Sequence, residues 1–205
     1  MLIKKYPSGP LEVNSYLVLD EKNKSGVIID PGGVSNDLLS FVKENSYTIK
    51  FIFLTHGHGD HIGGVGAYIS QFGCKVLAYI DEREMLKDSS VNYSREVLGT
   101  KVSFEADVYV NDNDELSVDD LNFKFIHTPG HTKGGMCILI EDVLFSGDTL
   151  FQQSIGRTDF PGSSYNDLMW SIREKLFKLS DDTKVFPGHM SETTIGFEKM
   201  NNPFL

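Results

Sequence analysis

The 205-residue sequence predicts an α/β protein with a layered α/β/β/α sandwich, formed as one domain over residues 1–205. Short apolar runs of strand length alternate with segments of helical spacing in both halves of the chain. Hydrophobic residues make up 40% of the sequence, enough to bury a sizeable core. Neither a repeat nor a Pro/Gly/Ser-rich linker divides the chain, so one scaffold is expected to carry all of its motifs.

The first half begins with two runs rich in Val, Ile and Leu, Asn14–Leu19 and Gly26–Asp30, which predict a β-hairpin. The segment Asp30–Gly33, Asp-Pro-Gly-Gly, then predicts a turn that ends the strand rather than a supplier of ligands. The remaining elements of this half follow in order: a helix carrying Leu38, Leu39 and Val42, a buried strand at Ile49–Leu54, a helix at Val65–Phe72, a strand at Lys75–Tyr79 and a helix at Glu82–Lys87.

The second half is predicted to be rich in sheet after an irregular surface stretch at Ser89–Ala106. Its strands are predicted at Val108–Val110, Asn122–His127, Met136–Ile140, Val143–Phe145 and Lys184–Phe186. Ser164, followed three residues later by Asp167, resembles a capping box and predicts a helix that begins there.

Composition limits the partners that this chain is expected to have. The net charge of -10 supplies no basic footprint for nucleic acid, so we expect a small-molecule substrate instead. The two cysteines, Cys74 and Cys137, form no metal-binding pair and are predicted to be buried hydrophobes. No apolar stretch has the length of a signal peptide core or a membrane span, which predicts no membrane association and a cytoplasmic location. The oligomeric state is left open.

A cluster of candidate metal donors follows the predicted buried strand Ile49–Leu54 directly. The segment Thr55–His61 reads Thr-His-Gly-His-Gly-Asp-His and supplies four donors: His56, His58, Asp60 and His61. Imidazole and carboxylate groups suit Zn, Mn or Fe, and the two glycines let the backbone turn tightly enough to aim them inward. Random placement would rarely produce this pattern, so it strongly indicates a metal site.

Three more candidate donors, His131, Asp148 and His189, follow predicted strands in short glycine-containing segments. Residues at the ends of adjacent strands can reach one cleft, where rigid strands hold ligands accurately. Five of the six histidines fall in these segments, and the sixth, His127, lies within a predicted strand and is interpreted as structural.

These residues resemble the metallo-β-lactamase superfamily, whose pattern is H-x-H-x-D-H followed by His, Asp and His. The resemblance implies an αββα sandwich of two mixed β-sheets flanked by helices. It also implies two divalent transition metal ions, zinc before iron or manganese, in two sets joined by a bridging carboxylate: His56, His58 and His131; Asp60, His61 and His189; and Asp148 between them.

Within the superfamily, the stretch Ser154–Gly162 and the ending Gly196–Leu205 resemble short bacterial glyoxalase II-like hydrolases. This resemblance implies hydrolysis of small thioesters of the hydroxyacylglutathione type by a hydroxide that bridges the two metals, with Asp60 orienting it. Thioesters suit the site because a thiolate, with a thiol pKa of ~8.5, leaves without a dedicated acid. Arg157 and Asp159 are given no core role, because a salt bridge that fixes their loop explains them equally well.

Two alternative activities stay open. One is a lactonase or other small-ester hydrolase, and the other is a mononuclear iron persulfide dioxygenase that uses His56, His131 and Asp148. A true β-lactamase is disfavoured because such enzymes usually carry Cys where this chain has Asp148. Only sixteen residues follow His189, so the helical extension that holds glutathione in longer relatives is expected to be largely missing and saturation to be poor.

Overall fold

The computed structural model describes all 205 residues and contains two six-stranded β-sheets. The strands of the first sheet are, in chain order, β1 (Leu2–Ser8), β2 (Val13–Asp20), β3 (Ser25–Ile29), β4 (Thr48–Phe53), β5 (Lys75–Tyr79) and β6 (Val108–Val110). The strands that follow are β7 (Glu115–Val118), β8 (Leu121–His127), β9 (Met136–Ile140), β10 (Val143–Gly147), β11 (Leu150–Phe151), β12 (Ser154–Ile155), β13 (Lys184–Pro187) and β14 (Thr193–Thr194).

Both sheets are mixed, as predicted. The first has the order β1-β2-β3-β4-β5-β6, antiparallel across β1–β3 and parallel from β3 to β6. The second has the order β14-β13-β10-β9-β8-β7 and is antiparallel except where β10 pairs with β13. Strands β11 and β12 form a separate two-stranded ribbon.

Seven α-helices connect these strands: α1 (Asn36–Glu44), α2 (Gly59–Ile62), α3 (Val65–Phe72), α4 (Arg83–Lys87), α5 (Ser94–Leu98), α6 (Tyr165–Trp170) and α7 (Ile195–Asn201). A π-helical turn at Ser171–Lys175 and a 3-10 turn at Leu176–Lys178 extend α6. None of the helices combines the length and the apolar character that a membrane crossing requires.

The layers follow from side-chain alternation in the central strands. In β2, Tyr16 and Val18 face the second sheet, whereas Leu17 and Leu19 face the helices α1 and α3. Because both faces of the strand are covered, it is apolar on both sides. The core between the sheets packs Phe53 edge-on against Phe123 and Phe125, with ring centroids 5.0 and 5.4 Å apart.

Capping explains where the flanking helices begin. The Ser35 side chain accepts from the Leu38 backbone N–H at the start of α1, and Ser164 accepts from that of Asp167 at the start of α6. The capping signal read at Ser164 is therefore confirmed. Helix α6 and its extension then bury Leu168, Ile172 and Leu176 against the second sheet.

Several elements differ from the sequence-based predictions. Strand β1 was not predicted, because its sequence Leu-Ile-Lys-Lys-Tyr-Pro-Ser shows no regular alternation and lies on an edge that is only partly buried. Strand β7 is similarly an edge strand of mixed polarity. The segment predicted as irregular, Ser89–Ala106, contains the short helix α5, which packs against α2. Both cysteines are buried as predicted, and burial raises the pKa of each to about 11.

Candidate metal centre

The seven predicted donors come together where strands from both sheets end. His56 and His58 follow β4 of the first sheet, and the other donor segments follow β8, β10 and β13 of the second. Asp60 and His61 lie in the first turns of α2 rather than in the glycine-rich loop expected from the sequence. Rigid strands from two sheets therefore hold side chains that lie up to 133 positions apart in the sequence, from His56 to His189.

The first donor set consists of His56, His58 and His131. One nitrogen from each ring lies within 4.8 Å of the others, and His58 Nδ1 is 2.9 Å from His131 Nε2. The rings of His56 and His58 are 4.8 Å apart, as the two-residue spacing after a strand predicts. Three convergent imidazole nitrogens are a common donor group for a transition metal.

The second donor set consists of Asp60, His61 and His189. Asp60 Oδ2 lies 3.3 Å from His189 Nε2 and 3.8 Å from His61 Nε2. The loop carrying His189 can approach only because residue 188 is glycine. A Cβ at Gly188 would lie 2.5 Å from Asp148 Oδ1 and 2.6 Å from His61 Cε1.

Asp148 lies between the two sets. Its Oδ1 is 3.3 Å from His61 Nε2, and its Oδ2 is 3.6 Å from His131 Nε2 and 3.7 Å from His189 Nε2. The carboxylate thus faces donors of both sets. Asp60, the other carboxylate among the predicted donors, lies near histidines of the second set only, whereas Asp148 lies within 3.7 Å of histidine nitrogens from both sets.

Unpartnered polar atoms test whether the cluster fits a metal. Among buried side chains, the nitrogen and oxygen atoms without a hydrogen-bond partner are His56 Nε2, His61 Nε2 and Asp148 Oδ1. A buried polar atom without a partner costs about 1–3 kcal/mol, and all three of these atoms face the same cluster. Coordination of a cation would satisfy them, so the residues present fit a metal site.

The two sets differ in their affinity for protons. Burial, then the neighbouring His61, lowers the pKa of His56 well below its usual value. Burial and His131 lower the pKa of His58 to about 3. Burial also acts to lower the pKa of His61, but Asp148, Asp60 and Asp30 outweigh it and raise that pKa well above the usual value.

The pKa values of His189, in the second set, and of Asp148, between the sets, are shifted by the same kind of charge interaction. The pKa of His189 is raised, because Asp60 and Asp148 outweigh the effect of burial. Burial alone raises the pKa of Asp148, but the nearby charges of His61, His131 and His189 hold it below its usual range. Without metal, His61 and His189 of the second set therefore hold protons more firmly than His56 and His58 of the first set.

Asp30 organises both sets, a role that sequence reasoning missed. Its Oδ2 accepts hydrogen bonds from His61 Nδ1 at 2.9 Å and from the Thr55 hydroxyl at 2.5 Å. That hydroxyl has donated its proton to Asp30, so it accepts from His56 Nδ1 at 3.2 Å. Both rings thus carry their protons on Nδ1 and leave Nε2 free for a metal.

Asp30 does not itself add a third donor set. It lies with His56 and His61 in a group of possible ligands, but its Oδ1 already accepts from the Thr55 backbone N–H at 2.7 Å. Strand β3 ends at Ile29, as the Asp30–Gly33 segment predicts, but these four residues form no hydrogen-bonded turn, and Asp30 has a positive φ of 47°. The turn motif gave no sign that Asp30 is a buried carboxylate that orients His56 and His61. Its position directly after an apolar strand is the one sequence feature that could have indicated this role.

Glu82 is a second buried carboxylate that sequence reasoning missed. It is 1% exposed and joins the two segments that carry the first donor set. Its Oε2 accepts from the Gly57 backbone N–H at 2.7 Å, and its Oε1 accepts from the Thr132 hydroxyl at 2.6 Å and the Gly134 N–H at 2.9 Å. Burial raises the pKa of Glu82.

A cavity of about 470 Å³ opens onto the donors. Tyr93 and Phe160 form an aromatic wall on one side of it, with ring centroids 5.4 Å apart. Phe160 lies 5.0 Å from the His58 ring and 5.8 Å from the His131 ring. These two aromatic residues were not singled out from the sequence, since their loops have no regular period.

Three other residues considered from the sequence lie outside the donor cluster. The His127 ring stacks on Tyr79 at 4.1 Å, and its Nε2 donates to the Lys133 carbonyl, in keeping with a structural role. Arg157 and Asp159 form an exposed ion pair at 2.8 Å. The Arg157 carbonyl, however, accepts from His131 Nδ1 at 2.8 Å, so the backbone of this loop orients a donor.

Comparisons with known proteins agree with this geometry. Residues 8–189 match the family described as the metallo-beta-lactamase superfamily. Hydroxyacylglutathione hydrolase GloC from Haemophilus influenzae is 38% identical over 209 residues, which cover 100% of this chain and 98% of that protein.

Solved structures give the same result. The structure titled BLEG-1 B3 metallo-beta-lactamase is 39% identical with a TM-score of 0.93, and the match covers 100% of this chain and 99% of that one. TTHA1623, solved in a di-iron-bound form, is 30% identical with a TM-score of 0.86, covering 98% of this chain and 100% of that one. The two-sheet architecture and its flanking helices are therefore those of known metallo-β-lactamase folds.

Proposed function

Because the chain belongs to the metallo-β-lactamase superfamily, we propose that it is a binuclear metal-dependent hydrolase of small thioesters of the hydroxyacylglutathione type. One observation carries the proposal: two convergent donor sets flank Asp148, and three buried polar atoms, one from each set and one from Asp148, lack any partner. The similarity to GloC favours glutathione thioesters within the broader class of hydrolytic substrates.

In this proposal, His56, His58 and His131 hold one ion, Asp60, His61 and His189 hold the other, and Asp148 contacts both. When bound, two divalent ions polarise a carbonyl and provide hydroxide near neutral pH. Zinc is our first choice because imidazole and carboxylate donors suit it, while the di-iron form of TTHA1623 makes iron the main alternative.

The residues of the chain supply the orientation. Asp60 lines the cavity, and its Oδ2 lies 3.3 Å from His189 Nε2, so its carboxylate is placed to accept a hydrogen bond from a water in the cavity. Asp30 and the Arg157 carbonyl fix the ring orientations of three histidines: His56, His61 and His131. No further acid is needed, because a thiolate leaves readily.

The test is turnover by protein loaded with a defined metal. Protein reconstituted with zinc or with iron is assayed for cleavage of S-lactoylglutathione, and metal content is measured in the same samples. We expect hydrolysis that scales with occupancy of about two ions per chain and disappears with a chelator. One iron per chain with oxygen consumption on glutathione persulfide would instead support the dioxygenase.

A β-lactam hydrolase is the second candidate. It is favoured by the 39% identity and full-length match to the structure titled BLEG-1 B3 metallo-beta-lactamase. Asp148 in place of the cysteine usual in β-lactamases argues the other way, so thioester hydrolysis stays our first proposal. A chromogenic cephalosporin and a lactone, assayed beside S-lactoylglutathione on the same zinc-loaded sample, rank these activities by kcat/KM.

A further inference from the structure

The wall of the cavity differs in chemistry from its metal-binding floor. Beyond the donors, the surfaces that line it are largely apolar and come from four separate segments: Tyr93, Val97, Phe151, Ile155, Phe160 and Met190. A cavity lined by apolar and aromatic groups takes up a ligand mainly by burying apolar surface.

Positive charge is scarce on this wall. Arg157 is the only Lys or Arg among the lining residues. Its Nε and Nη2 donate to the two carboxylate oxygens of Asp159 at 2.9 and 2.8 Å, and its guanidinium lies 4.4 Å from the Phe160 ring. Glu96 adds a negative charge to the lining. A carboxylate on a ligand therefore finds no uncompensated cation along the wall.

The aromatic part of the wall is held in place by its own backbone. Tyr93 adopts a positive φ of 58°, a conformation that bulky residues rarely take. The neighbouring Asn92 is buried and anchors this turn, donating to the carbonyls of Met85 at 3.2 Å and Val102 at 2.9 Å. The Asn92 carbonyl accepts from the Gly59 N–H at 2.6 Å, which ties the wall to α2.

We propose that this wall binds the non-reacting substituents of the thioester and selects uncharged, apolar ones over anionic ones. The proposal rests on the proposed thioesterase function and narrows its substrate class to thioesters of neutral carriers, so that the glutathione thioesters suggested by the similarity to GloC become the poorer substrates. Glutathione carries two carboxylates, and the wall offers them Glu96 and an Arg157 already paired with Asp159. A neutral thiol carrier with the same acyl group would avoid that cost.

The first test compares two thioesters with the same butyryl group, one on glutathione and one on neutral N-acetylcysteamine. For zinc-loaded protein we expect kcat/KM to be roughly two- to fivefold higher for the neutral thioester, the scale of one weak surface charge interaction. A higher kcat/KM for the glutathione thioester would overturn the proposal.

The second test makes the wall more cationic. Asp159→Asn releases Arg157, so the selectivity ratio is expected to shift about two- to fivefold toward the glutathione thioester. Glu174→Gln is the matched control, because it changes the net charge equally, at an exposed ion pair with Lys178 that does not line the cavity. A higher kcat/KM for the glutathione thioester in Asp159→Asn cannot come from misfolding. The same selectivity ratio in Asp159→Asn and Glu174→Gln would count against the proposal.

Binding separates failure of this inference from failure of the proposed function. The S-butyl thioethers of the same two carriers cannot be hydrolysed, and calorimetry gives their affinities for the zinc-loaded protein. If neither thioester is cleaved, the proposed function fails, yet tighter binding of the neutral thioether still supports the wall's selectivity. Tighter binding of S-butylglutathione would refute it.

Discussion

The floor and the wall of the cavity obtain their shape in different ways. On the floor, five donors are buried: His56, His58, Asp60, His61 and His131. The buried carboxylates of Asp30 and Glu82 hold the rings or loops of the four histidines among them. On the wall, Tyr93 and Phe160 are only half-buried and touch the floor mainly through ring packing. The floor is thus determined by specific hydrogen bonds, whereas the wall is determined by shape and polarity.

This difference predicts how each region responds to substitution. A donor held by a second hydrogen-bonded residue depends on that residue, because one misplaced ring alters the coordination geometry. An apolar wall loses only the contact area of the side chain that is removed. Changes to the floor should therefore alter metal content, and changes to the wall should alter KM.

Asp148→Ala should have the largest effect, because Asp148 faces donors of both sets. Loss of a residue that merely supports a ligand costs roughly 10- to 100-fold in metal affinity, so loss of a shared ligand should cost more than about 100-fold. We expect both ions to be depleted and turnover to be lost. Metal analysis after dialysis, together with thioester assays, measures this.

His189→Ala provides the comparison, since it should weaken only the second ion. His127→Ala, which removes the ring stacked on Tyr79 outside the cluster, is the control and should keep the wild-type metal content. Two firmly bound ions in both Asp148→Ala and His189→Ala would show that the ligand assignment is wrong.

Glu82→Gln should have the next largest effect, confined to the first ion. A glutamine places an amide NH2 where a carboxylate oxygen now accepts backbone or hydroxyl protons, so the segments carrying His58 and His131 should separate slightly. We expect the affinity of the first ion to fall roughly 10- to 100-fold. Competition with a fluorescent chelator gives the two affinities separately.

Glu84→Gln, at an exposed position in helix α4, which begins directly after Glu82, is the matched control for Glu82→Gln. Circular dichroism on both variants checks that the fold is retained. If both variants bound two ions with wild-type affinity, the bridge formed by Glu82 would be irrelevant to the metal centre.

The sequence predicted the layers and a set of side chains that come together in the structure, but not what holds those side chains in place. The donors formed a recognisable pattern because His, Asp and Gly occur at fixed short spacings or directly after apolar runs. Asp30 and Glu82 lie in other segments, and their roles depend on contacts made only when the strands and helices pack. A single sequence carries no local signal for such long-range hydrogen bonds.

The edge strands and the wall were missed because their residues form no clear local pattern. Central strands such as β3 are buried on both faces and stand out, whereas β1 mixes Lys, Tyr and Ile on a partly exposed edge. The wall was missed because Tyr93 lies in a stretch without periodicity, in a backbone conformation that its residue type does not favour.

Lowering the pH should empty the second donor set before the first. The pKa values of His61 and His189 are raised, so these rings stay protonated at a higher pH than an ordinary histidine. A metal must displace those protons to bind there. The lowered pKa of His58, about 3, and that of His56 leave both rings neutral across the same range.

Between about pH 8 and about pH 6, we therefore expect metal content to fall from two ions toward one, with affinity for the second ion dropping up to about tenfold per pH unit for each displaced proton. Metal analysis across this range in chelator-buffered solution measures the loss. Parallel loss of both ions, or loss of the first ion alone, would contradict the assigned difference between the sets.

Phe160→Ala should have the smallest effect and the one most specific to the wall. Phe160 is half-buried and supplies apolar surface to the cavity without hydrogen-bonding to a donor. Losing part of its contact with a bound substituent, on the order of 1 kcal/mol, should raise KM for butyryl-N-acetylcysteamine roughly fivefold. Metal content should stay at two ions per chain, because Asp30, Glu82 and the Arg157 carbonyl remain. Steady-state kinetics and metal analysis on the same sample separate the two readouts, with Phe204→Ala, at an exposed residue that does not line the cavity, as control. A loss of metal with unchanged KM would place Phe160 with the floor rather than the wall.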